Sequence, residues 1–365
     1  MEGNRSNLGL QTPVSQVLHD QSLGYGAFTN LIYEPSAVDE YRFVGQLRQD
    51  DYQIPNCPPY DIQDPNCTLP ADDVQREADN FALLSWMHTF TSQAVLTSSI
   101  LYHYNRANYD GGAIDPLTTT NHHSSQYEGA QEDLRLSLNR NHFDIGVLGF
   151  AQQDQSTFSL VYHDSSGTPP LSEATSPSGG LITAWLQDTF QATHWLNLSA
   201  GVRQSPFQGA HISENATDPR LGMTVMLPRL NWVLSAFWGK YYQAPPLETL
   251  SGPLLAYATA NDTGFLPLHG ERDTERQFGV AIPLKGRTIN ADYFVNQARN
   301  FFDHNPIGNS DIFLPLTDQG ALIQGYELTV RSPPFWRYGQ VHVAYWNQTA
   351  DAFGAITGGL ISLPT

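Results

Sequence analysis

Apolar and polar residues alternate with a period of two along much of the chain. The clearest run follows a short break at residues 191–194 and reads, in order, Leu196, Asn197, Leu198, Ser199, Ala200, Gly201, Val202 and Arg203. Successive side chains of a β-strand point to opposite faces, so this pattern predicts a strand with one apolar and one polar face. Similar alternation occurs within residues 232–242, 288–301 and 322–331.

Repetition of this pattern predicts about fourteen strands and no amphipathic helix. The predicted strands are residues 25–33, 41–48, 81–90, 96–104, 127–138, 143–150 (alternatively 143–162), 181–190, 195–203, 220–227, 232–242, 275–284, 288–301, 322–331 and 340–346. Short breaks such as TSQA, RNH and KGR alternate with long loops at about 50–78, 106–124, 164–179, 205–218, 244–272 and 303–317. Because a meander puts its odd and even connections at opposite ends, this is the arrangement of an antiparallel up-and-down transmembrane β-barrel.

The polar face of the predicted strands is typical of a water-filled lumen. It carries Gly, Asn, Ser and Gln, with few of the Lys and Glu residues that a face exposed to bulk water usually has. The apolar face, with Leu196, Leu198, Ala200 and Val202, is expected to meet lipid. The residues predicted to face the lumen are Asn197, Ser199, Arg203, Ser235, Asn290, Asp292, Glu327 and Arg331.

Aromatic residues concentrate near both ends of the predicted strands. Trp86, Phe90, Phe190, Trp195, Trp232, Phe335 and Trp336 lie near short breaks, and Tyr102, Tyr104, Trp238, Tyr241, Tyr242, Phe301 and Phe302 lie near long loops. Two such bands indicate aromatic girdles at the two membrane interfaces, although ordinary core aromatics at strand ends are the alternative for any one residue.

Composition narrows the class of partner. The net charge is −18, and only Lys240 and Lys285 are lysines, so binding to nucleic acid is not expected. No apolar run reaches the ~18 residues of a transmembrane helix, and the first residues lack the pattern of a signal peptide. Either the chain is not exported, or it is a piece of a longer protein.

Cysteines and charged groups suggest no catalytic centre and no cofactor. Cys57 and Cys67 lie in a Pro-, Asn- and Asp-rich loop and are predicted to form a disulfide, with free thiols or a metal site as alternatives. The His122–His123 pair is predicted to be a solvated loop feature or, alternatively, a metal pair. Glu128, Glu132 and Asp133 are expected to be scattered surface charge, with calcium binding as the alternative.

Aromatic residues in the predicted long loops are the candidates for ligand capture, since flat rings cover area at a low entropic cost. They are Tyr52, Tyr60, Tyr109, Phe207, Tyr257, Phe265 and Phe313.

Three hairpins resemble motifs of TonB-dependent outer-membrane receptors. AWLQDTFQATHWLNLSAGVR resembles the family hairpin A-F-x-Q-D-x-W/F … L-x-L-x-x-G-x-R. The second resembles P-R-x-G … R-A-x-Y-G-x-x-F-R-A-P-x-L-x-E-L, through Pro219, Arg220, Gly222, Ala236, Gly239, Tyr242, Gln243, Ala244, Pro245, Leu247 and Leu250. The third resembles E-x-G-x-K … D-x-x-Y-F … G-x-E-L, through Gly279, Asp292, Tyr293, Phe294, Gly325, Glu327 and Leu328.

This resemblance implies an outer-membrane receptor whose strands contact outer-membrane lipid and whose loops are extracellular. Such a receptor binds a scarce small nutrient, namely a siderophore, cobalamin, haem or an oligosaccharide. It imports the nutrient with energy that the TonB complex delivers through a plug domain, and it catalyses no covalent chemistry. Asp292 and Glu327 match positions that in this family can line the contact between plug and barrel, or else form a charge network in the lumen.

The chain departs from the family pattern in its extent. A signal peptide, a TonB box and a plug are not visible, and about fourteen strands are predicted where the family barrel has roughly 22. Residues 1–365 are therefore expected to be one incomplete barrel domain that lacks the plug and the last strands. A passive porin-like barrel is the first alternative function, and a soluble secreted β-protein is the second.

Overall fold

A computed structural model describes residues 2–6, 19, 21–54, 72–112, 117–163, 167, 169–209, 212–247, 264–284, 286–306, 313–334 and 339–361. Seventeen β-strands make up the described part of the chain: β1 Glu2–Ser6, β2 Ser22–Tyr33, β3 Asp39–Gln53, β4 Val74–Thr91, β5 Ala94–Asp110, β6 Leu117–Leu138, β7 Asn141–Tyr162, β8 Leu171–Thr175, β9 Ser178–Thr193, β10 Leu196–Gln208, β11 Ser213–Leu227, β12 Trp232–Gln243, β13 Gly264–Leu266, β14 Glu271–Leu284, β15 Arg287–Pro306, β16 Phe313–Arg331 and β17 His342–Ile361.

The strands form an antiparallel up-and-down meander. Each long strand pairs with the next long strand in sequence, from β2–β3 through to β16–β17. The short strand β8 continues the edge of β9 along β7, and β13 pairs with the far end of β17. Within the described ranges the sheet does not close, because no pairing joins β17 to β1 or β2. This all-β, up-and-down architecture confirms the predicted fold class.

Short turns at one end of the sheet depend on residues that tolerate a positive φ. Asn139, in the turn between β6 and β7, has φ 55°, and Gly286, between β14 and β15, has φ 79°. The flanking pairs Leu138–Asn141 and Leu284–Arg287 are in register across these turns. Two-residue hairpin turns need this left-handed conformation to match the twist of the strands, which explains the Asn and Gly at these breaks.

The fourteen predicted strands correspond one to one with the long strands, but they were predicted too short at the long-loop end. Residues 106–110 and 117–124, predicted as loop, extend β5 and β6, and β10, β15 and β16 also run into predicted loops. The extensions of β5 and β6 are mostly polar, so periodicity did not reveal them. Pairing with the neighbouring strand satisfies their backbone groups and keeps them extended.

The two faces of the sheet differ in chemistry. One face, here called the outer face, carries exposed apolar side chains. Examples that are 40–55% exposed are Leu186, Leu198, Val202, Leu221 and Phe278. The opposite face, here called the inner face, carries mostly polar residues and is more covered, with Thr183, Ser205 and Asp218 buried. The predicted alternation therefore corresponds to two distinct surfaces.

Aromatic residues form bands on the outer face. Near the short turns, the Tyr41 ring lies 6.4 Å from both Tyr33 and Trp86, and Trp86 Nε1 donates to Asp39 Oδ1 at 3.1 Å. Near the other end, Tyr102 and Trp238 occupy outer-face positions. Tyr241 was wrongly placed in this band, because its position in β12 puts it on the inner face beside Arg220.

The histidine pair does not lie in a loop and cannot act as a chelating pair. His122 and His123 are consecutive residues of β6, so their side chains point to opposite faces of the sheet. His122 Nε2 is paired with Asp110 Oδ1 at 2.7 Å. Glu132 and Asp133 are likewise on opposite faces, which separates them as calcium ligands.

Candidate functional site

The strand register places all eight residues that were predicted to face the lumen on the inner face. Asp292 and Glu327 are direct cross-strand partners, and Asn290 Nδ2 donates to Thr329 Oγ1 at 3.1 Å in the next inner row. A Cβ at Gly279 would lie 2.6 Å from Ser235 Oγ and would overlap the Asp292 carboxylate, so glycine makes room for these polar groups. That this surface lines a lumen stays a prediction.

A continuous row of rings crosses the inner face of four neighbouring strands. Phe81 on β4, His103 on β5, Tyr127 on β6 and Phe150 on β7 are linked by centroid distances of 6.4, 5.3 and 5.4 Å. His103–Tyr127 and Tyr127–Phe150 are stacked, whereas Phe81 meets His103 edge-on. We call these four residues the aromatic row. Rings stacked in this way present their edges as an apolar platform on the inner face to a ligand.

Hydrogen bonds hold the aromatic row in place. His103 Nε2 lies 2.5 Å from Asp79 Oδ1, which orients the imidazole. Gln152 Nε2 donates to Asp154 Oδ1 at 2.8 Å and approaches the Tyr127 hydroxyl at 3.4 Å. Side chains that are fixed in this way lose little entropy when a ligand binds.

An acidic cavity of about 500 Å³ adjoins the aromatic row toward the long-loop end. Its lining includes Asp50, Glu77 and Asp79, together with His103 and Tyr127 of the row. Arg48 and Arg106 also line the cavity, and Arg48 Nε pairs with Asp50 Oδ2 at 2.5 Å. The three carboxylates outnumber the two arginines by one, which gives the cavity a weakly acidic character that favours neutral or cationic groups over anionic ones.

A second cluster on the inner face combines arginines with an aromatic ring. The Arg220 guanidinium lies 4.6 Å from the centroid of Tyr241, a cation–π contact. The buried Nε atoms of Arg203 and Arg220 have no hydrogen-bond partner among the described residues. The buried Asp218 is the cross-strand partner of Arg203 and lies two residues before Arg220 on β11. Buried hydrogen-bond donors without partners are rare in native proteins. This surface is therefore suited to bind further polar groups.

Those candidate loop aromatics that the structure describes lie in strands and not in loops. Tyr52 is in β3 and donates to Glu77 Oε1 at 2.8 Å beside the acidic cavity. Tyr109, in β5, is 5% exposed and donates to Asp73 Oδ2 at 2.8 Å. Phe207, in β10, is 6% exposed. Tyr109 and Phe207 are thus covered by the protein itself, whereas Tyr52 contacts Glu77, which lines a cavity.

Phe207 is covered by the segment that follows β12. Leu247 is 1% exposed and forms an apolar cluster with Phe207, against which Leu181, Ile212, Tyr242 and Ala244 pack. The Ala244–Leu247 stretch, part of the family-like motif, therefore folds back over the inner face of β9 and β10 at their long-loop end. This segment therefore reduces the area of the inner face that is exposed at the long-loop end.

The other candidates are placed as follows. Phe265 belongs to β13 and pairs with Leu360 of β17. Phe313 is the first residue of β16. Cys57, Cys67, Tyr60 and Tyr257 lie outside the described residues, so their predicted roles stay predictions.

Glu271 lies beyond the apolar stretch of β14, which runs from Phe278 to Leu284. Its Oε2 accepts a hydrogen bond from the backbone N–H of Phe302 at 2.8 Å. Burial raises the pKa of the Glu271 carboxyl above its ordinary value, and the neighbouring Asp273 adds to this rise, while the Phe302 N–H opposes it. This carboxyl therefore holds its proton more tightly than an exposed glutamate.

The aromatic row was missed in the sequence. In the sequence, Phe81 and Tyr127 are simply the first residues of two predicted strands. His103 lies within the predicted strand 96–104, and no functional role was predicted for it. Only the register across β4–β7 brings the four rings together, and the alternation within one strand does not contain that information.

Within the described residues, no group of three or more His, Cys, Asp or Glu side chains converges on a metal site. Among those same residues, no helix is long and apolar enough to cross a membrane.

Comparison with protein families finds a match to "TonB dependent receptor-like, beta-barrel" over residues 15–362. Among curated proteins, none matches the sequence significantly.

Several solved structures share the fold at low identity. The ferric yersiniabactin uptake receptor FyuA from Yersinia pestis aligns with a TM-score of 0.69 and 12% identity over 98% of this chain and 56% of that one. The copper transporter OprC aligns at 0.64 and 13% over 91% and 53%, and the ferric citrate transporter FecA at 0.64 and 13% over 93% and 54%. The chain thus spans about half the length of the receptors it matches.

Proposed function

Because the chain belongs to the TonB-dependent receptor-like β-barrel family, we propose that it is part of an outer-membrane receptor that binds a scarce nutrient and imports it. The energy would come from the TonB complex through a plug domain. The nutrient classes that fit are a siderophore, cobalamin, haem or an oligosaccharide. In this arrangement the outer face contacts lipid and the long-loop end is extracellular.

The aromatic row beside the acidic cavity is the observation that carries this proposal. Four rings in contact across β4–β7 provide a platform for a ring-bearing or planar ligand. Carboxylates at its long-loop edge provide hydrogen-bond acceptors. A pore that only conducts small solutes does not require such a ring platform.

The carboxylates that line the cavity restrict the charge of the ligands that can bind there. Asp79 is engaged by His103, and Tyr52 and Gln75 donate to Glu77 at 2.8 and 2.6 Å. The carboxylates are thus fixed on the inner face and would repel an anion placed on the platform. Neutral or cationic ligands are expected to bind ahead of anionic ligands of similar size.

The test is uptake by cells with and without the gene, using a panel of labelled ligands. The panel holds a ferric siderophore, cobalamin, haem and a neutral oligosaccharide, each with and without a protonophore that removes the energy source. The proposal expects one ligand to be taken up only by the gene-positive cells and only when the membrane is energised. Uptake that persists with the protonophore would indicate a passive pore, and no gene-dependent uptake of any ligand would contradict a receptor.

A further inference from the structure

An apolar groove crosses the outer face of β5, β6, β7 and β9, and we call it the outer groove. Ala130 and Gly149 are cross-strand partners and form its floor, while Ile100 and Ile182 stand on either side of them in the same cross-strand row. The groove has a volume of about 1510 Å³. A Cβ at Gly149 would meet no atom within 4 Å, so the floor is open to a group from outside the sheet.

A carboxylate without a partner lies at the long-loop end of the outer groove. Glu128 is one outer-face step beyond Ala130 and is the cross-strand partner of Tyr102 in the aromatic band. It is exposed, and no hydrogen bond or ion pair joins it to another described residue. An ionised side chain on a lipid-facing wall is costly unless it is paired, so Glu128 calls for a cationic partner.

The other charged residues near the outer groove do not balance Glu128. Glu132 lies on the other side of Ala130 and is itself acidic, and its Oε2 accepts a hydrogen bond from Ser98 Oγ at 2.5 Å. The nearest arginine on β5, Arg106, is four residues beyond Tyr102. The missing cation must therefore come from another molecule.

The outer face of β14, β15 and β16 has the complementary shape and charge. Phe278, Tyr293 and Tyr326 are successive cross-strand partners and are 43–55% exposed, so three rings project side by side. We call these three residues the aromatic ridge. Arg276 lies one outer-face step beyond Phe278 toward the long-loop end, opposite Trp238 of β12. It is exposed, and no hydrogen bond or ion pair joins it to another described residue.

The two surfaces match in depth. Tyr102 and Trp238 both belong to the outer-face aromatic band near the long-loop end, and Glu128 and Arg276 are their cross-strand partners. In both surfaces the apolar part, which is the groove floor or the ridge, lies one outer-face step closer to the short turns than the charge. Two copies that stand side by side in one membrane therefore bring the two charges to one level and the ridge to the level of the floor.

We propose that a second copy of the protein docks its aromatic ridge into the outer groove, with Arg276 of one copy paired to Glu128 of the other. The small floor residues allow the rings to approach closely, and the ion pair removes two exposed charges from the lipid. Because groove and ridge belong to different strands, the contact is heterologous and can repeat from copy to copy. This inference rests on the outer-membrane setting of the proposed function but not on its transport activity.

Cross-linking in outer membranes tests the contact. Two differently tagged copies of the full-length protein that contains this chain are produced together, one with Gly149→Cys and the other with Phe278→Cys. Mild oxidation should give a disulfide-linked species that carries both tags, and copies with only the native Cys57 and Cys67 give the background. Val202→Cys, exposed on the outer face of β10 outside the groove, should give little such species with Phe278→Cys.

Charge reversal identifies the ion pair. Glu128→Arg alone, or Arg276→Glu alone, should lower the cross-linked yield about tenfold, because like charges then face each other. The chain with both changes should recover the yield, since each contact again joins opposite charges. Arg299→Glu, an exposed outer-face change of the same sign outside the ridge, should leave the yield unchanged. Equal amounts of each variant in the outer membrane verify that it folds.

Equal yields for Gly149→Cys and Val202→Cys would overturn the inference, because random collisions would explain both. Failure of the double reversal to recover what either single reversal lost would overturn it as well. A groove that is filled by lipid or by a different protein would give neither the cross-link nor the recovery. Gene-dependent uptake in the ligand panel is measured separately, so a failed cross-link leaves the transport result readable.

Discussion

Tyr127 is the central residue of the aromatic row. Its ring stacks on His103 at 5.3 Å and on Phe150 at 5.4 Å, so it has a neighbouring ring on either side. Its hydroxyl also lies 3.4 Å from Gln152 Nε2. Loss of this ring would interrupt the platform in the middle and would free both neighbours to move.

Tyr127→Ala is expected to weaken binding of whichever panel ligand the receptor takes up by up to about tenfold. A lost ring contact is worth about 0.5–1.5 kcal/mol, and 1.4 kcal/mol is about a factor of ten. Equilibrium binding to purified protein measures the effect. Tyr293→Ala removes an equivalent ring from the outer face and should leave affinity unchanged, and equal losses in both variants would refute a role for the row.

The Glu271 carboxyl predicts a pH dependence of stability. Its folded pKa is raised above the ordinary value of 4.5, so the folded state favours the protonated form. The resulting penalty is absent well below pH 4.5, develops as the pH rises above 4.5, and is complete once the pH exceeds the raised pKa. Glu271→Gln should therefore raise the thermal midpoint in detergent at pH 7.5 but not at pH 4.

The control for this prediction is Glu34→Gln, in the exposed turn between β2 and β3. It should shift the midpoint at neither pH. A lower midpoint for Glu271→Gln at pH 7.5 would mean that the ionised carboxylate stabilises the fold through the Phe302 N–H, contrary to the expectation.

At the scale of elements, glycines allow large side chains to lie against the backbone of a neighbouring strand. Gly146 on β7 is the cross-strand partner of Trp185 on β9, and the indole lies flat over the glycine. From this position Trp185 Nε1 donates to Asp144 Oδ1 at 2.7 Å. A Cβ at Gly146 would overlap the indole ring, so the absence of a side chain permits this contact.

Gly146→Ala should displace Trp185 and break its hydrogen bond to Asp144. Overpacking of this kind costs about 1–3 kcal/mol, so the thermal midpoint should fall and the tryptophan emission should change. Gly149→Ala is the matched control on the same strand, since a Cβ there meets no atom within 4 Å. Identical spectra and midpoints for the two variants would show that Trp185 does not depend on Gly146.

At the scale of the whole molecule, the described sheet has two free edges. The pairing runs from β1 to β17 without a return to the first strands. Unpaired backbone N–H and C=O groups are costly in lipid, where water cannot satisfy them. The sheet therefore needs further pairing before it can lie stably in a bilayer.

The 365-residue chain produced by itself should not behave as a closed monomeric barrel. We expect it to form oligomers or to be extracted from membranes by urea, and to lack the heat-dependent mobility shift of closed barrels in SDS gels. A monomeric species with a clear heat-dependent shift would contradict this expectation and would show that the edges pair with each other.

The sequence by itself determined the strands and the chemistry of their two faces. Alternation such as Leu196 to Arg203 fixes which side chains share a face, because the strand period of two is a local property of the backbone. The hairpin motifs around Gly222, Gly279 and Gly325 carried the family resemblance. Fourteen long strands and the up-and-down order followed from these local signals and from the lengths of the breaks.

Tertiary structure decided which residues of different strands meet. The strand extensions that hold Tyr109 and His122 are mostly polar, so only pairing with neighbours shows that they are extended. The aromatic row and the contact of Leu247 with Phe207 both depend on register between strands. Register is set by turns and cross-strand packing over the whole sheet, and no single segment of sequence contains it.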